Sequence, residues 1–481
     1  MIELRPVVFV LGILLSVLAV AMVIPAGVDA MVGHPDWQVF TAASGTTLFV
    51  GVLMILTARS GWAAFSRRQA FLMTTLAWLV IAAFGALPFA YSELDLTITD
   101  AFFESMSGVT TTGSTVIVGL DNAPPGILLW RAILQWLGGI GIIVMALAVL
   151  PMLQVGGMQL FRIEAFETDK VLPRAAQIAG GISIIYVSLT ALAAIVLWAL
   201  GMTGFEAVAH AMTAIATGGF STSDMSLAYF HSPAIDMAVS LTMVLGSMPF
   251  VLYLRAVRGS PLAPLRDSQV RCMLSVLAVS IVLVAYWLWS RGIMPPGEAL
   301  RHGTFNVISI MTGTGYTSDD FGAWGGFASA ALFTLMFIGG CAGSTTCGIK
   351  IFRFQVLYAT AVAQLKRLLQ PHGVFFPYYN KRPIPELVAE SVMAFFFLFI
   401  ASFALLAIGL GLFGLDFVTA VSGAATAISN VGPGLGDIIG PSGTFKTLPD
   451  GAKWLLSAGM LLGRLELFTV LVLLTPSFWR G

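Results

Sequence analysis

Four short segments of the chain share a spacing of glycine, hydroxyl and aliphatic residues that could coordinate a cation through backbone oxygens. Each is thirteen residues long and ends in glycine, with a hydroxyl residue six positions and a large aliphatic residue four positions before it. The segments are AFFESMSGVTTTG (101–113), AVAHAMTAIATGG (207–219), GTFNVISIMTGTG (303–315) and AVSGAATAISNVG (420–432). Their terminal glycines lie 106, 96 and 117 residues apart, so the chain contains a repeat of about a hundred residues.

The segments are too polar to cross a bilayer and too apolar to be exposed loops. About nine residues make a half-length helix of roughly 14 Å, which we expect to enter the membrane from outside and stop midway. The Thr- and Gly-rich residues then return without helical hydrogen bonds, which is tolerated at membrane depth only where protein or a water-filled cavity surrounds them. Glycine can turn carbonyl oxygens inward, and rings of carbonyls replace the hydration shell of a monovalent cation. Close helix packing through small residues would explain one such segment but not four in register.

The elements that must position these segments are apolar spans. Hydrophobic residues make up 58% of the 481 residues, charged residues only 10%, and mean hydropathy is +0.91, whereas a soluble domain carries about 25% charged residues. Runs near twenty residues are long enough to cross the hydrocarbon layer as helices. We place ten spans near 7–25, 39–58, 70–91, 128–150, 181–201, 235–256, 270–290, 326–349, 389–411 and 453–475.

This threading predicts an all-α polytopic membrane protein with two leading transmembrane helices and four helix–pore-loop–helix repeats, arranged with pseudo-fourfold symmetry around one ion pore. The predicted units are a leading unit (1–60) and the four pore repeats (61–178, 179–266, 267–384 and 385–481). One face receives 18 Lys and Arg residues, among them Arg59, Arg162, Lys170 and Lys381. The other, outer face receives 5: Arg131, Arg291, Arg301, Lys446 and Lys453. The positive-inside rule makes the first face cytoplasmic, together with both termini.

Two features depart from the repeat pattern. The second span of the third repeat contains GGCAGSTTCG (339–348), which predicts an irregular loop facing the cavity rather than a lipid-facing helix. The last span contains Arg464, and a charge at membrane depth is costly unless it faces water or a partner. Arg464 is therefore a functional-site hypothesis. The alternative is a structural ion pair with an acid on another span or with Glu466, although Glu466 lies on a different helical face.

With these residues in view, the chain resembles the TrkH/KtrB/HKT superfamily of potassium transporters, and the TrkH branch most of all. TTTGS (110–114), ATGGF (216–220), TGTGY (312–316) and NVGPG (430–434) are similar to the four filter motifs of that branch, in order. The resemblance implies potassium uptake across a bacterial-type cytoplasmic (inner) membrane through a carbonyl-lined filter. The ion-binding residues that it implies are Thr111, Thr112, Gly113, Thr217, Gly218, Gly219, Thr314, Gly315, Tyr316, Asn430, Val431 and Gly432.

Two filter positions bear on ion preference. Gly313 stands where we expect threonine, so an ion site there could be slightly altered. In the plant relatives, serine at the first filter glycine goes with sodium permeation, and this chain has Gly113 there, which favours potassium. A sodium-conducting protein and a cation-coupled carrier of the same fold remain the alternatives.

The resemblance also implies a gate beneath the filter, formed by the third-repeat loop, and a fixed positive charge at Arg464 that moderates conduction. The gating residues that it implies are Gly340, Gly343, Ser344, Thr345, Thr346, Gly348 and Arg464. The alternative for the loop is a flexible kink without a gating role. The resemblance further implies a homodimer and a ring of cytoplasmic nucleotide-binding regulatory subunits. We expect no cofactor on this chain, potassium as the transported ion, and no nucleic-acid partner.

Other polar residues near the pore support weaker hypotheses. Asp224, Asp320 and Asp437 each follow a filter glycine by five residues, and could form an outer acidic ring or cap the following turns. Three residues stand nine positions before their filter glycines, and we interpret them as anchors of the pore helices: Glu104, His210 and Asn306. Lys350 and Arg353 could be snorkelling anchors or gate residues. We interpret the cysteines as packing residues: Cys272, Cys341 and Cys347.

An enzyme is the least persuasive alternative, because the sequence has no Walker A motif, no His-Glu-x-x-His and no nucleophile motif. The run Gly138–Gly141 lies inside an apolar span, where it indicates helix packing rather than a nucleotide loop. Secondary carriers also contain broken helices, often as inverted repeats. The four repeats here run in the same direction, which favours a pore.

Overall fold

The computed structural model describes residues 3–58, 66–148, 171–380 and 382–480. These residues are mainly helical, since a segment surrounded by lipid must satisfy its backbone hydrogen bonds internally. Among them, seven helices are long and apolar enough to cross a membrane, and two bent helix pairs raise the number to nine. Four basic residues assigned to the cytoplasmic face lie outside the described residues: Arg59, Arg162, Lys170 and Lys381.

Two leading helices, Arg5–Val32 and Trp37–Thr57, precede the repeats. Gly12 and Gly51 bring their backbones together, because a methyl group on either glycine would lie within 3.0 Å of the other's carbonyl oxygen. Such close approach of small residues is the usual packing device of membrane helices.

Each repeat consists of a first helix, a half-length pore helix, an extended filter segment and a second helix. Repeat one has Arg67–Gly85 with Leu87–Tyr91, then Ile98–Val109 and Pro125–Ala148. Repeat two has Val171–Ala199, Gly204–Ile215, and Pro233–Gly246 with Phe250–Val257. Repeat three has Ser268–Ser290, Pro296–Met311, and Gly326–Met336 with Ile351–Leu369. Repeat four has Glu386–Leu412, Phe417–Ser429, and Asp450–Arg464 with Leu467–Leu471.

Short elements connect these helices. Three are single α-helical turns, Ala263–Arg266, Gly436–Ile439 and Pro476–Arg480. Five are 3-10 turns, Leu120–Asn122, Ser226–Phe230, Phe321–Trp324, Phe445–Thr447 and Val472–Leu474. The strands Tyr378–Tyr379 and Arg382–Pro383 pair antiparallel beyond the end of Ile351–Leu369, with Tyr378 opposite Pro383.

Two of the predicted spans are wrong as single helices. The span near 235–256 bends by 92° after Gly246, and the span near 453–475 bends by 115° after Arg464. Pro249 explains the first bend, since proline lacks a backbone N–H and disfavours helix in the residue before it. Glu466 marks the second bend with a left-handed φ of 59°, which an α-helix cannot contain. The third-repeat helix ends at Met336, so the irregular loop predicted there is confirmed.

The pore helices begin at recognisable caps. Thr97, Thr203 and Asp416 each accept a hydrogen bond from the backbone N–H three residues later, which satisfies one of the free donors at a helix N-terminus. The third pore helix instead begins with Pro296, whose missing N–H costs nothing at that position. These N-terminal residues define where each half-length pore helix begins.

Ion pairs tie neighbouring repeats together around the pore. Lys453 of repeat four donates to Asp100 of the first pore helix at 2.6 Å, and both side chains are almost fully buried. Arg301 of the third pore helix pairs with Asp236 of repeat two at 2.7 Å. The larger apolar cluster joins the leading helices and repeats one and four to parts of repeats two and three, and a second cluster lies mainly in repeats two and three.

Candidate ion pathway

The four filter segments share one backbone conformation. In each, the filter glycine and the residue two positions before it have left-handed φ angles, while the residue between them does not. The pairs are Thr111 and Gly113, Thr217 and Gly219, Gly313 and Gly315, and Asn430 and Gly432. Gly313, with a φ of 71°, therefore follows the same path as Thr111 and Thr217, and its glycine avoids the strain that a β-branched residue bears there.

The same glycines bring the four segments together as a closed ring. A methyl group on each would lie within 3.0 Å of a carbonyl oxygen of the next repeat, and the order closes from repeat four back to repeat one. The pairs are Gly113 with Gly218, Gly219 with Thr314, Gly315 with Val431, and Gly432 with Thr112. The filter glycines are thus required both by backbone angle and by the approach of a neighbouring carbonyl.

Glycines of the second helices pack under the pore-helix ends. A methyl group on Gly138, Gly246 or Gly463 would lie within 3.0 Å of the carbonyl oxygen of the aliphatic residue four positions before the filter glycine. These aliphatic residues are Val109, Ile215 and Ile428. The packing role predicted for the Gly138 run is therefore what the structure has.

The three predicted anchors connect each pore helix to its outgoing filter segment. Glu104, His210 and Asn306 are fully buried. Glu104 accepts from the Val116 N–H at 2.9 Å, the His210 Nε2 lies 3.1 Å from the Ser221 Oγ, and Asn306 donates to the Ser318 Oγ at 3.0 Å. In repeat four, Ser422 makes the corresponding connection between pore helix and filter segment, because it accepts a hydrogen bond from the Leu435 N–H at 2.9 Å.

The third-repeat loop is ordered and buried beneath the filter. Its ends are joined, because Gly339 donates to the Ile349 carbonyl and Ile349 donates to the Phe337 carbonyl. Its middle is held at the bend of repeat two, where the Thr345 N–H donates to the Gly246 carbonyl at 3.2 Å. The predicted gate residues Ser344, Thr345 and Thr346 are all buried here, and Gly343 and Gly348 have left-handed φ angles. Gly340 lies against Ser247 and Thr346.

Arg464 links this loop to two repeats. Its Nη1 donates to the Thr345 carbonyl at 3.0 Å and lies 2.6 Å from the Cys347 Sγ, and its Nη2 donates to the Gly138 carbonyl at 3.0 Å. The side chain is 3% exposed. Among the residues that the structure describes, no acid forms a salt bridge with it, so the alternative of an ion pair is not what the structure has. Cys347 contacts a charged group as well as packing.

Glu466 pairs instead with Arg353, at 2.5 Å. Arg353 is almost fully buried and also lies over the Phe395 ring at 3.7 Å, so it is not a snorkelling residue in this conformation. Lys350 donates to the Thr346 carbonyl. Both cations therefore contact the loop or the bend of the last span rather than the membrane surface.

Of the three outer aspartates, Asp320 caps the turn that follows it, whereas Asp224 bonds to a turn of repeat one instead of its own following turn. Asp224 accepts from the backbone N–H groups of Gly119 and Leu120, at 2.9 and 3.1 Å, and Asp320 accepts from the Gly322 N–H at 2.9 Å. Asp437 lies in the first turn of Gly436–Ile439. Asp224 and Asp320 also line an outer cavity of about 590 Å³, so capping and an acidic outer surface coexist there.

Two buried side chains at the filter were missed by the sequence reasoning. Arg131, assigned to the outer loops, pairs with Glu104 at 2.8 Å and donates to the Ser221 carbonyl at 2.7 Å. Gln135 contacts the filter segment of repeat two. The signal available was a polar side chain within or beside an apolar span, which is rare unless it faces the bundle interior.

Comparisons with known proteins agree on one family. The model of the TrkH family, described as a cation transport protein, matches residues 37–480. The Trk system potassium uptake protein TrkI of Halomonas elongata is 48% identical over 99% of this chain and 97% of that protein. The potassium uptake protein TrkH of Escherichia coli K12 is 38% identical over 99% of both chains. The crystal structure of the potassium transporter TrkH from Vibrio parahaemolyticus superimposes with a TM-score of 0.93 at 36% identity, covering 100% of both chains.

Proposed function

Since the chain belongs to the TrkH family of cation transport proteins, we propose that it takes up potassium through a carbonyl-lined selectivity filter. It is a membrane transporter rather than an enzyme, and its relatives are named as potassium uptake proteins. The observation that carries the proposal is the closed ring of four filter segments, each with the same pair of left-handed residues. That backbone can present oxygens from four sides to a dehydrated monovalent cation.

The ion-binding residues proposed are the glycine and its neighbours in each filter segment, as predicted from the sequence. Gly113, Gly219, Gly315 and Gly432 are the positions where the ring tolerates no side chain. The presence of Gly113 in the first segment supports potassium over sodium as the preferred ion.

The gate proposed is the buried loop of the third repeat, which Arg464 holds in place through hydrogen bonds. The loop lies below the filter and is held from repeat two at Gly246 and from repeat four by Arg464. Arg464 also places a positive charge beside the path, which raises the barrier to cations in a poorly solvated cavity. Opening then requires the loop to move away from the filter axis.

The remaining proposals concern the setting of the protein. We place it in the cytoplasmic (inner) membrane with both termini in the cytoplasm, and divide it at the unit boundaries given above. A homodimer and a nucleotide-binding regulatory subunit ring on the cytoplasmic side follow from the same family membership and from the "Trk system" names of the relatives.

Ion flux into proteoliposomes tests the proposed function. Purified protein should carry potassium down its gradient and sodium far more slowly, and the Gly315→Ala variant, which crowds the Val431 carbonyl, should abolish both. Equal potassium and sodium fluxes would favour a sodium-conducting protein. Strict dependence on a proton gradient would favour a coupled carrier.

A further inference from the structure

Gln135 of repeat one contacts the filter segment of repeat two through its side chain. It is on the second helix of repeat one, Pro125–Ala148, and is fully buried. Its Nε2 donates to the Gly218 carbonyl at 2.6 Å, and its Oε1 accepts from the Phe220 N–H at 3.0 Å. These two backbone groups flank the filter glycine Gly219.

The chemistry of this contact requires a carboxamide. One partner is an acceptor and the other is a donor, so the side chain must offer an N–H and a C=O at once, in one orientation. Glutamate lacks the donor and methionine lacks both groups. Glutamine is therefore matched to the two groups that flank Gly219.

The filter segment is shaped to receive this side chain. A methyl group on Gly218 would collide with the carboxamide of Gln135. The residues at the equivalent position of the other three segments carry side chains: Thr112, Thr314 and Val431. The second glycine of the ATGGF motif is thus explained by the approach of Gln135.

Gln135 is also the exception among the four repeats. The second spans contain the similar motifs QWLG (135–138), MVLG (243–246), MFIG (336–339) and MLLG (460–463). The last glycines of the first, second and fourth motifs occupy matching positions under their pore helices, and the third motif is aligned by sequence, since its helix ends at Met336. Three repeats thus carry a buried methionine where repeat one carries glutamine: Met243, Met336 and Met460. The position accepts an apolar side chain of similar length, so folding alone does not require an amide there.

One helical turn earlier, Arg131 adds to the same contact. It donates to the Ser221 carbonyl at 2.7 Å and lies over the Phe220 ring at 4.0 Å. Arg131 and Gln135 are four residues apart, so they project from the same face of the helix. Together they hold the repeat-two segment over 218–221 from outside the ring.

We propose that Gln135 is a positioning residue for ion selectivity, holding the repeat-two filter segment at the spacing that prefers potassium. This inference rests on the proposed filter function. Without the amide, the Gly218 carbonyl and the Phe220 N–H lose their partner at the back of the ring. The segment can then shift, and the ring adapts to a smaller ion.

The test is the potassium-to-sodium permeability ratio of the full chain in planar bilayers. Gln135→Met gives repeat one the residue of the other three repeats. It should lower the ratio about tenfold, the change expected if each of the two lost hydrogen bonds favours potassium by about threefold. Gln135→Glu keeps the acceptor for Phe220 and should give an intermediate ratio. Trp136→Phe is the matched control, because Trp136 lies on the same helix as Gln135 and the change removes a half-buried hydrogen bond to Thr190 of Val171–Ala199. It should leave the ratio unchanged.

The outcomes separate this inference from the function on which it rests. A wild-type ratio near one would contradict the proposed function. A wild-type preference for potassium that Gln135→Met and Gln135→Glu both retain would overturn the role of Gln135 alone. If Gln135→Met does not fold, as judged by its thermal unfolding, the residue is structural and the inference fails as well.

Discussion

Arg464 could restrain conduction in two ways: its hydrogen bonds could hold the loop closed, and its positive charge could repel cations. Replacing it by lysine and by methionine separates the two. The guanidinium bridges two carbonyls, that of Thr345 in the loop and that of Gly138 in repeat one, both at 3.0 Å. Lysine keeps the positive charge but offers a single ammonium, which cannot reproduce the planar fork of arginine. Methionine removes both the charge and the donors.

The expected magnitudes follow from these contacts. A hydrogen bond to a charged group contributes about 1.5–3 kcal/mol, and about 1.4 kcal/mol corresponds to a tenfold change in an equilibrium. Losing one of the two bridging bonds in Arg464→Lys should therefore raise the open fraction by about tenfold. Losing both in Arg464→Met should raise it by about a hundredfold, and the loss of the charge adds to the conductance.

Single-channel recording of the purified protein measures open fraction and unitary conductance separately. Arg301→Lys is a matched control, since it weakens an arginine–carboxylate pair far along the chain from the loop, with Asp236. If Arg464→Lys keeps the wild-type open fraction while Arg464→Met raises the conductance, the hydrogen bonds of Arg464 do not hold the loop closed. Only the barrier from its charge would then remain. Wild-type behaviour of both variants would refute the account of Arg464 altogether.

Three further perturbations follow from the geometry. Gly315→Ala should abolish potassium flux, because its methyl group would lie 1.9 Å from the Val431 carbonyl oxygen. Gly313→Ala should lower the flux less in the same assay: its methyl group would lie 3.3 Å from the nearest carbonyl oxygen, and Thr111 and Thr217 adopt the same left-handed φ. Equal loss in both variants would contradict the ring geometry. Glu466→Gln removes the carboxylate charge from the pair with Arg353 at the bend of the last span. The weaker pair should raise basal flux, and unchanged flux would indicate that the bend does not control the gate. Lys453→Met leaves the Asp100 carboxylate buried without its cation and should lower the unfolding free energy by about 3–5 kcal/mol. Denaturant unfolding in detergent measures this loss, which should be smaller when Asp100 is also replaced by asparagine.

The repeats and filter positions could be predicted because their signal is local. A hydroxyl residue, an aliphatic residue and a glycine at fixed spacing identify each pore helix and its end, and the left-handed positions fall at Gly113 and its equivalents. Arg464 could be singled out for a similar reason, because a charge within an apolar span is costly unless it faces water or a partner. The irregular third-repeat loop was equally visible in its composition.

The bend of the last span and the side-chain contacts behind the filter depend on distant residues, so the sequence pattern does not contain them. Pro249 was an available signal for the bend in repeat two, but the apolar run around it masks the break. Glu466 gives no such signal, since its left-handed conformation is stabilised by Arg353 from another repeat. Gln135 and Arg131 acquire their roles only when repeat one lies beside the filter segment of repeat two.

The bi-ionic reversal potential of the purified chain, with potassium on one side of a planar bilayer and sodium on the other, tests the central claim most directly. A ring of four glycine-ended segments that replaces the hydration shell of potassium predicts a reversal potential displaced strongly toward the potassium equilibrium potential, with discrete unitary currents. A reversal potential near zero, or saturable flux without unitary currents, would contradict a potassium-selective pore.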